Sequence, residues 1–387
     1  MDTFCVPVND YLLRMKAINR MTPIYKRAAN VLVLDSGLKW ASKAINTLDT
    51  CAHLNISSWS GRSWTLQEGA LAAEILFPVP DCHKLPPQVK SKEAKYIHAA
   101  LHKAHQLPSV GRWESEDENE VRESQFLGVW NAFLGRTTTM KQDVHGIFAN
   151  LLDFHAEEIL LLSQEYRMKA LLCAQDRLPL KLLYDQTPRH FTQGPFDRWL
   201  PDFPNGGPIP KFDSWMDVTS KGLRINPEDV CGRTIIIMHE PRETRLEKYC
   251  LEIEDWGKIC VTTPVNTNRK YAEMEFDQTL LHLDKDAKHL LTSGLRVMGA
   301  SFAVASADEK RVQVIFDDPI TLKLWDEVSP DPEFRDGPCL NATLLANVQS
   351  ILIDVGKSLS YSQYQLANVS PKTSKRHTEH AFVGSQT

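Results

Sequence analysis

The sequence predicts a mixed α+β protein, in which a short α/β unit is followed by a helical region and a mainly-β C-terminal domain. A continuous apolar run at residues 31–34, placed between two helical patterns, indicates the α/β unit. Apolar stripes at helical spacing mark residues 124–190 as the helical region. Apolar residues that alternate with polar ones over 197–330 indicate the strands of the β domain.

Composition and charge are those of an ordinary globular protein. The chain has 387 residues, 42% of them hydrophobic and 24% charged, which is enough for two or three domains. Its net charge of -5 gives no electrostatic basis for nucleic-acid binding. No apolar run has the length of a membrane span, and the N-terminus lacks the form of a signal peptide. We therefore expect a cytoplasmic protein with reduced cysteines.

The first elements are a helix and a strand. Apolar residues recur at helical spacing over 11–29, where Pro23 is expected to break or kink the helix. The run at 31–34 should be a buried parallel strand at the centre of a sheet. Asp35 and Ser36 follow it, at the strand end where open α/β sheets bind ligands. Such residues also commonly begin turns, so both interpretations stay open.

The most informative stretch is residues 57–68. Trp59 and Trp64 flank a Gly-Arg turn, and a helical pattern continues to about Leu76. At 100° per residue, Trp64 and Glu68 fall on one stripe, which should face the interior. Because a buried carboxylate is costly without a partner, and such groups cluster at functional sites, Glu68 is the leading candidate for chemistry.

Two structural explanations compete with a catalytic Glu68. Thr65 and Glu68 match a capping box, in which Glu68 would accept a hydrogen bond from the Thr65 amide and simply begin the helix. Arg62 could also neutralise Glu68 as an ordinary ion pair. On the residues alone, the structural explanations are favoured.

Residues 78–123 read as a linker or insertion with a solvated acidic loop at 114–120. Within it, three histidines share a helical face and could hold a metal with one further ligand, but an exposed polar face is the simpler interpretation, and we predict no metal site. The residues concerned are His98, His102 and His105, with Cys82 or His83.

The rest of the chain offers weaker signals. In the helical region, Asp143 reads as a helix-start residue, His145 as a surface or capped histidine, and Arg136 as a further polar candidate. We predict a helix over 340–355 and a disordered tail over 356–387. The strands predicted for the β domain are 233–239, 248–253, 258–263, 295–305, 311–316 and 322–325.

Three ordered blocks carry a resemblance to a known family. Arg-Ser-Trp-Thr-Leu-Gln-Glu at 62–68 resembles the Arg-Gly-Trp-Thr-Leu-Gln-Glu signature of the fungal heterokaryon-incompatibility (HET) domain. Residues 1–7 resemble its Trp-Ile-Asp-x-x-Cys-Ile block, and residues 21–35 its Met-x-x-Ile-Tyr-x-x-Ala block with the strand that follows. The resemblance covers about residues 1–77.

This resemblance implies a fold and a function. HET domains are associated with programmed cell death after fusion of genetically unlike fungal hyphae, and they are similar to TIR domains, which have a flavodoxin-like α/β fold. Residues 1–77 would then be a partial HET unit of this fold. The implied function is non-self recognition and cell-death signalling, through protein partners or self-association.

The resemblance also implies an enzymatic alternative. Some TIR domains cleave NAD with a glutamate in a helix whose plant form begins Trp-Cys-Leu-x-Glu, and Glu68 takes that place here. Glu68 would be the catalytic residue of a NAD glycohydrolase, stabilising an oxocarbenium-like state. Asp35, Ser36, Arg62 and Trp64 would help to hold NAD as substrate. No resident cofactor is implied.

In the family, the first block follows an earlier strand, helix and loop that this sequence does not carry before Met1. The resemblance therefore implies an N-terminally truncated member, and an inactive truncated remnant is a third alternative. Because a TIR-like pocket uses loops from several strands, we expect little or no NAD cleavage by the chain as it stands, even with Glu68 in place.

Overall fold

The computed structural model contains both helices and sheets, which confirms the predicted mixed α+β class. The C-terminal tail after residue 356, Ser36 and the histidines His98, His102 and His105 lie outside the described residues. The structure describes residues 7, 10–35, 56–72, 75–76, 117–138, 141–185, 189, 195–204, 208–210, 214–226, 234–239, 248–263, 278–283, 286–308, 310–324, 339–345 and 348–356.

The first helix confirms the helical pattern at the start of the chain. Helix α1 (Tyr11–Arg27) begins where the Asp10 carboxylate accepts a hydrogen bond of 2.9 Å from the Leu13 amide. Pro23 lies inside the helix and does not end it. Met15 and Ile18 form its buried face.

A two-stranded parallel sheet follows, in which strand β1 (Val31–Leu32) pairs with strand β2 (Ile75–Leu76). Helices α2 (Ser58–Gly61) and α3 (Ser63–Leu71) come between the two strands in the sequence. The predicted helical continuation to Leu76 is therefore wrong, because helix α3 ends at Leu71, Ala72 is already extended, and residues 75 and 76 form β2.

The prediction that residues 31–34 form a buried central strand is also wrong. Val33 is buried, but Leu32 and Leu34 are 55% and 61% exposed. In the described part of the chain, β1 pairs with β2 alone. A flavodoxin-like sheet is covered on both faces. Since one face of β1 is open, the described N-terminal residues do not form the sheet that the resemblance implied.

The predicted helical region is observed, with one short strand, β3 (Arg177–Pro179), inside it. The predicted acidic loop is in part the first turn of a helix, because the Asp117 carboxylate caps the Asn119 amide at 2.8 Å and acidic residues stabilise a helix N-terminus. The helices are α4 (Glu118–Ala132), α5 (Asp143–Leu151), α6 (Ala156–Leu161), α7 (Gln164–Cys173) and α8 (Lys181–Tyr184).

The C-terminal strands confirm most of the alternating pattern. A short 3₁₀ helix (Pro195–Asp197) precedes them, and helix α9 (Ala287–Thr292) lies among them. The strands are β4 (Trp215–Thr219), β5 (Gly222–Ile225), β6 (Thr234–His239), β7 (Lys248–Ile253), β8 (Gly257–Thr262), β9 (Gln278–Leu283), β10 (Val297–Ala307), β11 (Arg311–Leu324), β12 (Cys339–Leu344) and β13 (Ser350–Ile353).

Seven of these strands close on themselves in the order β10-β9-β6-β12-β7-β8-β11, because β11 pairs back to β10. We call this closed sheet the ring. Its interior is apolar, with Leu251, Ile259, Leu281 and Ile320 fully buried there. The other end of β11 pairs in parallel with β13, from which β5, β4 and β3 extend the sheet.

The helix predicted over 340–355 is wrong, because this segment contains β12 and β13. Ile351, Ile353 and Val355 are buried and recur at every second residue, which is the period of a strand. Parallel partners on β7 and β11 supply hydrogen bonds that the local sequence does not reveal.

One apolar core joins the helical region to the sheet. Trp130 and Phe148 of the helices belong to the same buried cluster as Trp215, Phe302 and Ile353 of the strands. The boundary predicted between the helical region and the β domain is therefore a packed interface. Within the described ranges, each helix is too short or too polar to cross a lipid bilayer.

Candidate functional site

Glu68 lies between two aromatic hydrogen-bond donors. The Tyr25 hydroxyl of α1 donates to one carboxylate oxygen at 3.1 Å, and the Trp59 indole N–H of α2 donates to the other at 3.0 Å. Trp59 is 4% exposed, whereas Glu68 and Tyr25 are half-buried. Helices α1, α2 and α3 thus meet at the Glu68 carboxylate, and each of its oxygens accepts one hydrogen bond.

The capping-box interpretation of Glu68 is wrong. Thr65 turns its hydroxyl back to donate to the carbonyls of Trp59 and Arg62, the latter at 2.7 Å. Helix α3 begins at Ser63 with Arg62 as its N-cap residue, three residues earlier than the box requires. Thr65 therefore stabilises the corner between α2 and α3, and the Glu68 side chain reaches across to α1 instead.

The ion-pair interpretation is not what the structure shows either. In the described part of the chain, the hydrogen-bond partners of Glu68 are the two neutral aromatic donors. Arg62 is exposed, and its carbonyl accepts a hydrogen bond of 2.9 Å from the Arg136 guanidinium. Arg62 thus contributes to the site through its backbone.

Arg136 connects the Gly61-Arg62 turn to the helical region. Its guanidinium is 5% exposed and also donates to the Ala132 carbonyl at 2.9 Å and to the Thr65 hydroxyl at 3.2 Å. Burial lowers its pKa to about 10, so it remains protonated at neutral pH. Beside it, the Thr137 amide donates to the Gly61 carbonyl at 2.7 Å.

Asp35 is a capping residue in this structure. One of its carboxylate oxygens accepts from the Ser58 hydroxyl at 2.7 Å and from the Trp59 amide at 2.8 Å. Asp35 is 4% exposed, and a carboxylate at the first turn of α2 is favourably placed. Asp35 thus caps helix α2, which is a structural role that neither the ligand-binding nor the turn interpretation anticipated.

Trp64 packs towards the helical region. Its half-buried ring contacts the small apolar cluster of Met15, Ile18 and Leu160. Its side chain also hydrogen-bonds to Asp143, which begins α5 as predicted. Trp59 is buried, whereas Trp64, which we expected to face the interior, is only partly covered.

A buried ion pair beside Trp64 joins α1 to α5. The guanidinium of Arg14 contacts the Asp143 carboxylate, and their side chains are 10% and 4% exposed. Burial raises the pKa of Asp143, although Arg14 and the hydrogen bond from Trp64 act in the opposite direction. His145, which we predicted to be a surface or capped histidine, is 7% exposed, so the surface alternative is wrong.

The structure brings three of the predicted site residues, Asp35, Glu68 and the Arg62 backbone, into one hydrogen-bond network. Trp59 connects two of them, since its amide bonds to Asp35 and its indole to Glu68. Trp64 packs instead against Met15, Ile18 and Leu160, and Ser36 lies outside the described residues. Sequence reasoning missed Tyr25 and Trp59 as the partners of Glu68. Both residues lie in the stretches already singled out, but no local signal indicates that their donors converge on one carboxylate.

Chemically, the site offers a partly accessible carboxylate held in a fixed orientation. A carboxylate has about four lone-pair positions, so Glu68 can accept further hydrogen bonds beside the two it has. Among the described residues, His, Cys, Asp and Glu side chains form no group of three or more that could hold a metal ion.

Comparisons with protein-family models, curated proteins and solved structures found no match to this chain. The HET resemblance therefore stays a prediction from the sequence motifs.

Proposed function

We propose that this protein acts in heterokaryon-incompatibility-type non-self recognition and programmed cell-death signalling, by associating with protein partners or with copies of itself. The observation that supports the proposal is the contact between Glu68 and Tyr25. These residues come from two separate blocks of the HET resemblance. Their side chains meet although the two residues are 43 positions apart in the sequence.

A second contact supports the same proposal. Asp35, the last residue of the middle block, bonds to Ser58 and Trp59 directly before the signature. Residues that carry the resemblance are thus the ones that hold α1, α2 and α3 together. Motif residues are expected to have such a role when the motif defines a folded unit rather than a chance match.

Exposed apolar side chains on this unit support the association step. Leu12, Leu13 and Ile24 of α1 are 62%, 52% and 60% exposed. Leu12 and Leu13 lie in the first turn of α1 and Ile24 in its last, so the helix offers apolar contact points at both ends to a partner that lies along it. The proposal thus assigns α1 to partner binding.

Expression of the chain under an inducible promoter in a filamentous fungus tests the proposal, with vital-dye uptake as the readout. We expect the wild-type protein to kill cells, and Glu68→Ala to reduce killing because it removes the contact between α1 and α3. Glu252→Ala, an exposed glutamate on β7, is the matched control and should kill like wild type. Unchanged viability at equal levels of wild-type protein would refute the proposal.

NAD glycohydrolysis is the second candidate. The observation that favours it is that Glu68 is half-buried and held by neutral donors, so that its charge stays available to stabilise a positive oxocarbenium-like state. Purified protein would be incubated with NAD, and nicotinamide release followed for wild type and Glu68→Gln. Release that depends on Glu68 supports the enzyme, and killing without NAD loss supports signalling alone.

A further inference from the structure

A row of three cysteines crosses the outer face of the ring. Cys339 of β12 lies opposite Cys250 of β7, and Cys250 lies opposite Cys260 of β8. Opposite residues on neighbouring strands project from the same face of a sheet. Because Tyr249 and Leu251, on either side of Cys250, belong to the interior cluster, the three thiols project outwards.

The spacing within this row suits a disulfide. Neighbouring strands lie about 4.8 Å apart, which is the separation across the parallel pair of β12 and β7. Directly opposite residues of an antiparallel pair, such as β7 with β8, have Cα atoms about 4.5–5.5 Å apart. A disulfide needs Cα atoms about 4.4–6.8 Å apart. Cys250, at the centre of the row, can therefore be bridged to either neighbour without displacement of a strand, whereas Cys339 and Cys260 are two strands apart.

Accessibility distinguishes the three thiols. Cys339 is exposed, whereas Cys250 and Cys260 are 5% and 3% exposed. Burial, followed by a hydrogen bond with the Cys339 thiol, raises the pKa of Cys250 to about 12. An oxidant dissolved in water therefore reaches the row at Cys339, and among the cysteines of the described residues Cys250 lies next to it.

We propose that Cys339 and Cys250 form an oxidant-responsive pair, in which Cys339 reacts with a hydroperoxide and Cys250 converts the product into a disulfide between β12 and β7. The inference is independent of the function proposed above. It assigns a modification site to the ring and names a hydroperoxide as the chemical class of the reactant.

The reaction takes two steps. The Cys339 thiolate attacks the terminal oxygen of the hydroperoxide, so that an S–O bond forms, the O–O bond breaks and Cys339 becomes a sulfenic acid. The alkoxide (hydroxide in the case of hydrogen peroxide) leaves and takes up the proton that the Cys339 thiol lost on ionisation, which gives an alcohol or water. The Cys250 sulfur then attacks the Cys339 sulfur, the S–S bond forms, and hydroxide leaves with the Cys250 proton as water. The two thiols lose two electrons in total, and the hydroperoxide gains them.

Peptide mapping of the oxidised full chain tests the proposal. Reduced protein would be treated with hydrogen peroxide, remaining thiols alkylated, and peptides identified by mass spectrometry. We expect a Cys339–Cys250 disulfide, with Cys260 alkylated. Cys173, a half-buried thiol on helix α7 whose pKa burial raises to about 12, should also be alkylated.

Three serine variants locate the chemistry. Cys339→Ser should abolish the disulfide. Cys250→Ser should leave Cys339 as a sulfenic acid that a dimedone-type reagent traps. Cys260→Ser, equally buried on the same face, is the matched control and should form the disulfide as wild type does. Circular dichroism before oxidation would show that each variant is folded.

Three results would overturn the proposal. The first is a disulfide that joins Cys339 to any cysteine other than Cys250, including one in a second molecule. The second is a sulfinic or sulfonic acid at Cys339 while Cys250 of the wild type remains alkylated. The third is a Cys250–Cys260 disulfide that forms as readily in Cys339→Ser as the expected bridge does in wild type.

Discussion

The N-terminal helices and the C-terminal ring are held together by different kinds of contact. Between α1, α3 and α5, specific polar side chains make the long-range contacts, such as Arg14 with Asp143 and Tyr25 with Glu68. Inside the ring, buried aliphatic residues such as Leu251 and Leu281 fill the space, and backbone hydrogen bonds join the strands.

The difference shows which contacts tolerate substitution. An apolar interior accepts exchanges of similar volume at modest cost. A buried ion pair does not, because removal of one partner leaves an uncompensated charge in the interior. The N-terminal unit should therefore be sensitive to single substitutions and tolerant of paired ones, and the ring should respond mainly to lost volume.

The largest effect is expected at the buried ion pair. Asp143→Ala should lower the free energy of unfolding by about 3–5 kcal/mol, because Arg14 stays buried without its partner. The double variant Arg14→Met with Asp143→Leu should regain most of that loss. Urea unfolding of both proteins measures this, and a double variant as unstable as Asp143→Ala would remove the distinction between the two regions.

In the ring, the effect should follow the volume removed. Leu251→Ala deletes a fully buried side chain and should cost about 2–5 kcal/mol, whereas Leu251→Met should cost less than about 1.5 kcal/mol. Leu324→Ala is the control, since Leu324 is 39% exposed at the end of β11. Equal losses for Leu251→Ala and Leu324→Ala in thermal unfolding would contradict an interior held by packing.

A smaller effect is expected at Glu68. Tyr25→Phe removes one hydroxyl and should cost about 1 kcal/mol, because the carboxylate keeps its second donor on Trp59. Glu252→Gln, in the ring, should change stability by less than about 0.5 kcal/mol. Denaturant midpoints compare the two variants, and a Tyr25→Phe protein as stable as wild type would show that the contact is dispensable.

The smallest effect is a difference in pH dependence between the two regions. The pKa of Asp143 is raised above 3.8 by burial, so the folded protein holds this proton to higher pH than the unfolded chain. The contribution of Asp143 to stability therefore falls as the pH rises from 3.8 through the pKa that Asp143 has in the folded protein. Asp143→Asn should remove this fall.

Asp308, after β10, should behave in the opposite way. Hydrogen bonds from the Lys310 and Arg311 amides lower its pKa below 3.8. The contribution of Asp308 to stability is therefore present above pH 3.8 and is lost as the pH falls through the pKa that Asp308 has in the folded protein. Urea midpoints of Asp143→Asn and Asp308→Asn from pH 3 to pH 7 measure the two slopes, and slopes of the same sign would contradict this assignment.

The strands of the ring could be predicted because their period of two is local. Residues 248–253 were predicted within the bounds that the structure has, since apolar side chains facing a closed interior must alternate. The helix predicted over 340–355 was wrong because the short apolar runs of this segment fit either the period of a helix or that of a strand. The segment forms strands because it pairs with β7 and β11, which are distant in the sequence.

The candidate site could be predicted only in part. Glu68 was identified because a carboxylate on an apolar stripe needs a partner. The partner of Glu68 could not be chosen among Thr65, Arg62 and a distant donor, because the choice depends on how α1 packs against α3. Similarly, Asp143 was recognised as a helix-start residue, whereas its partner Arg14 is 129 positions away.

The sequence by itself determined the periodic elements: α1, the helices after residue 117, most of the strands, and Glu68 as a carboxylate in need of partners. Only the tertiary structure decided that Tyr25 and Trp59 are those partners, that the strands close into a ring, and that three cysteines share one row. Periodicity is a property of neighbouring residues, whereas hydrogen-bond partners and strand order depend on contacts between residues far apart in the chain.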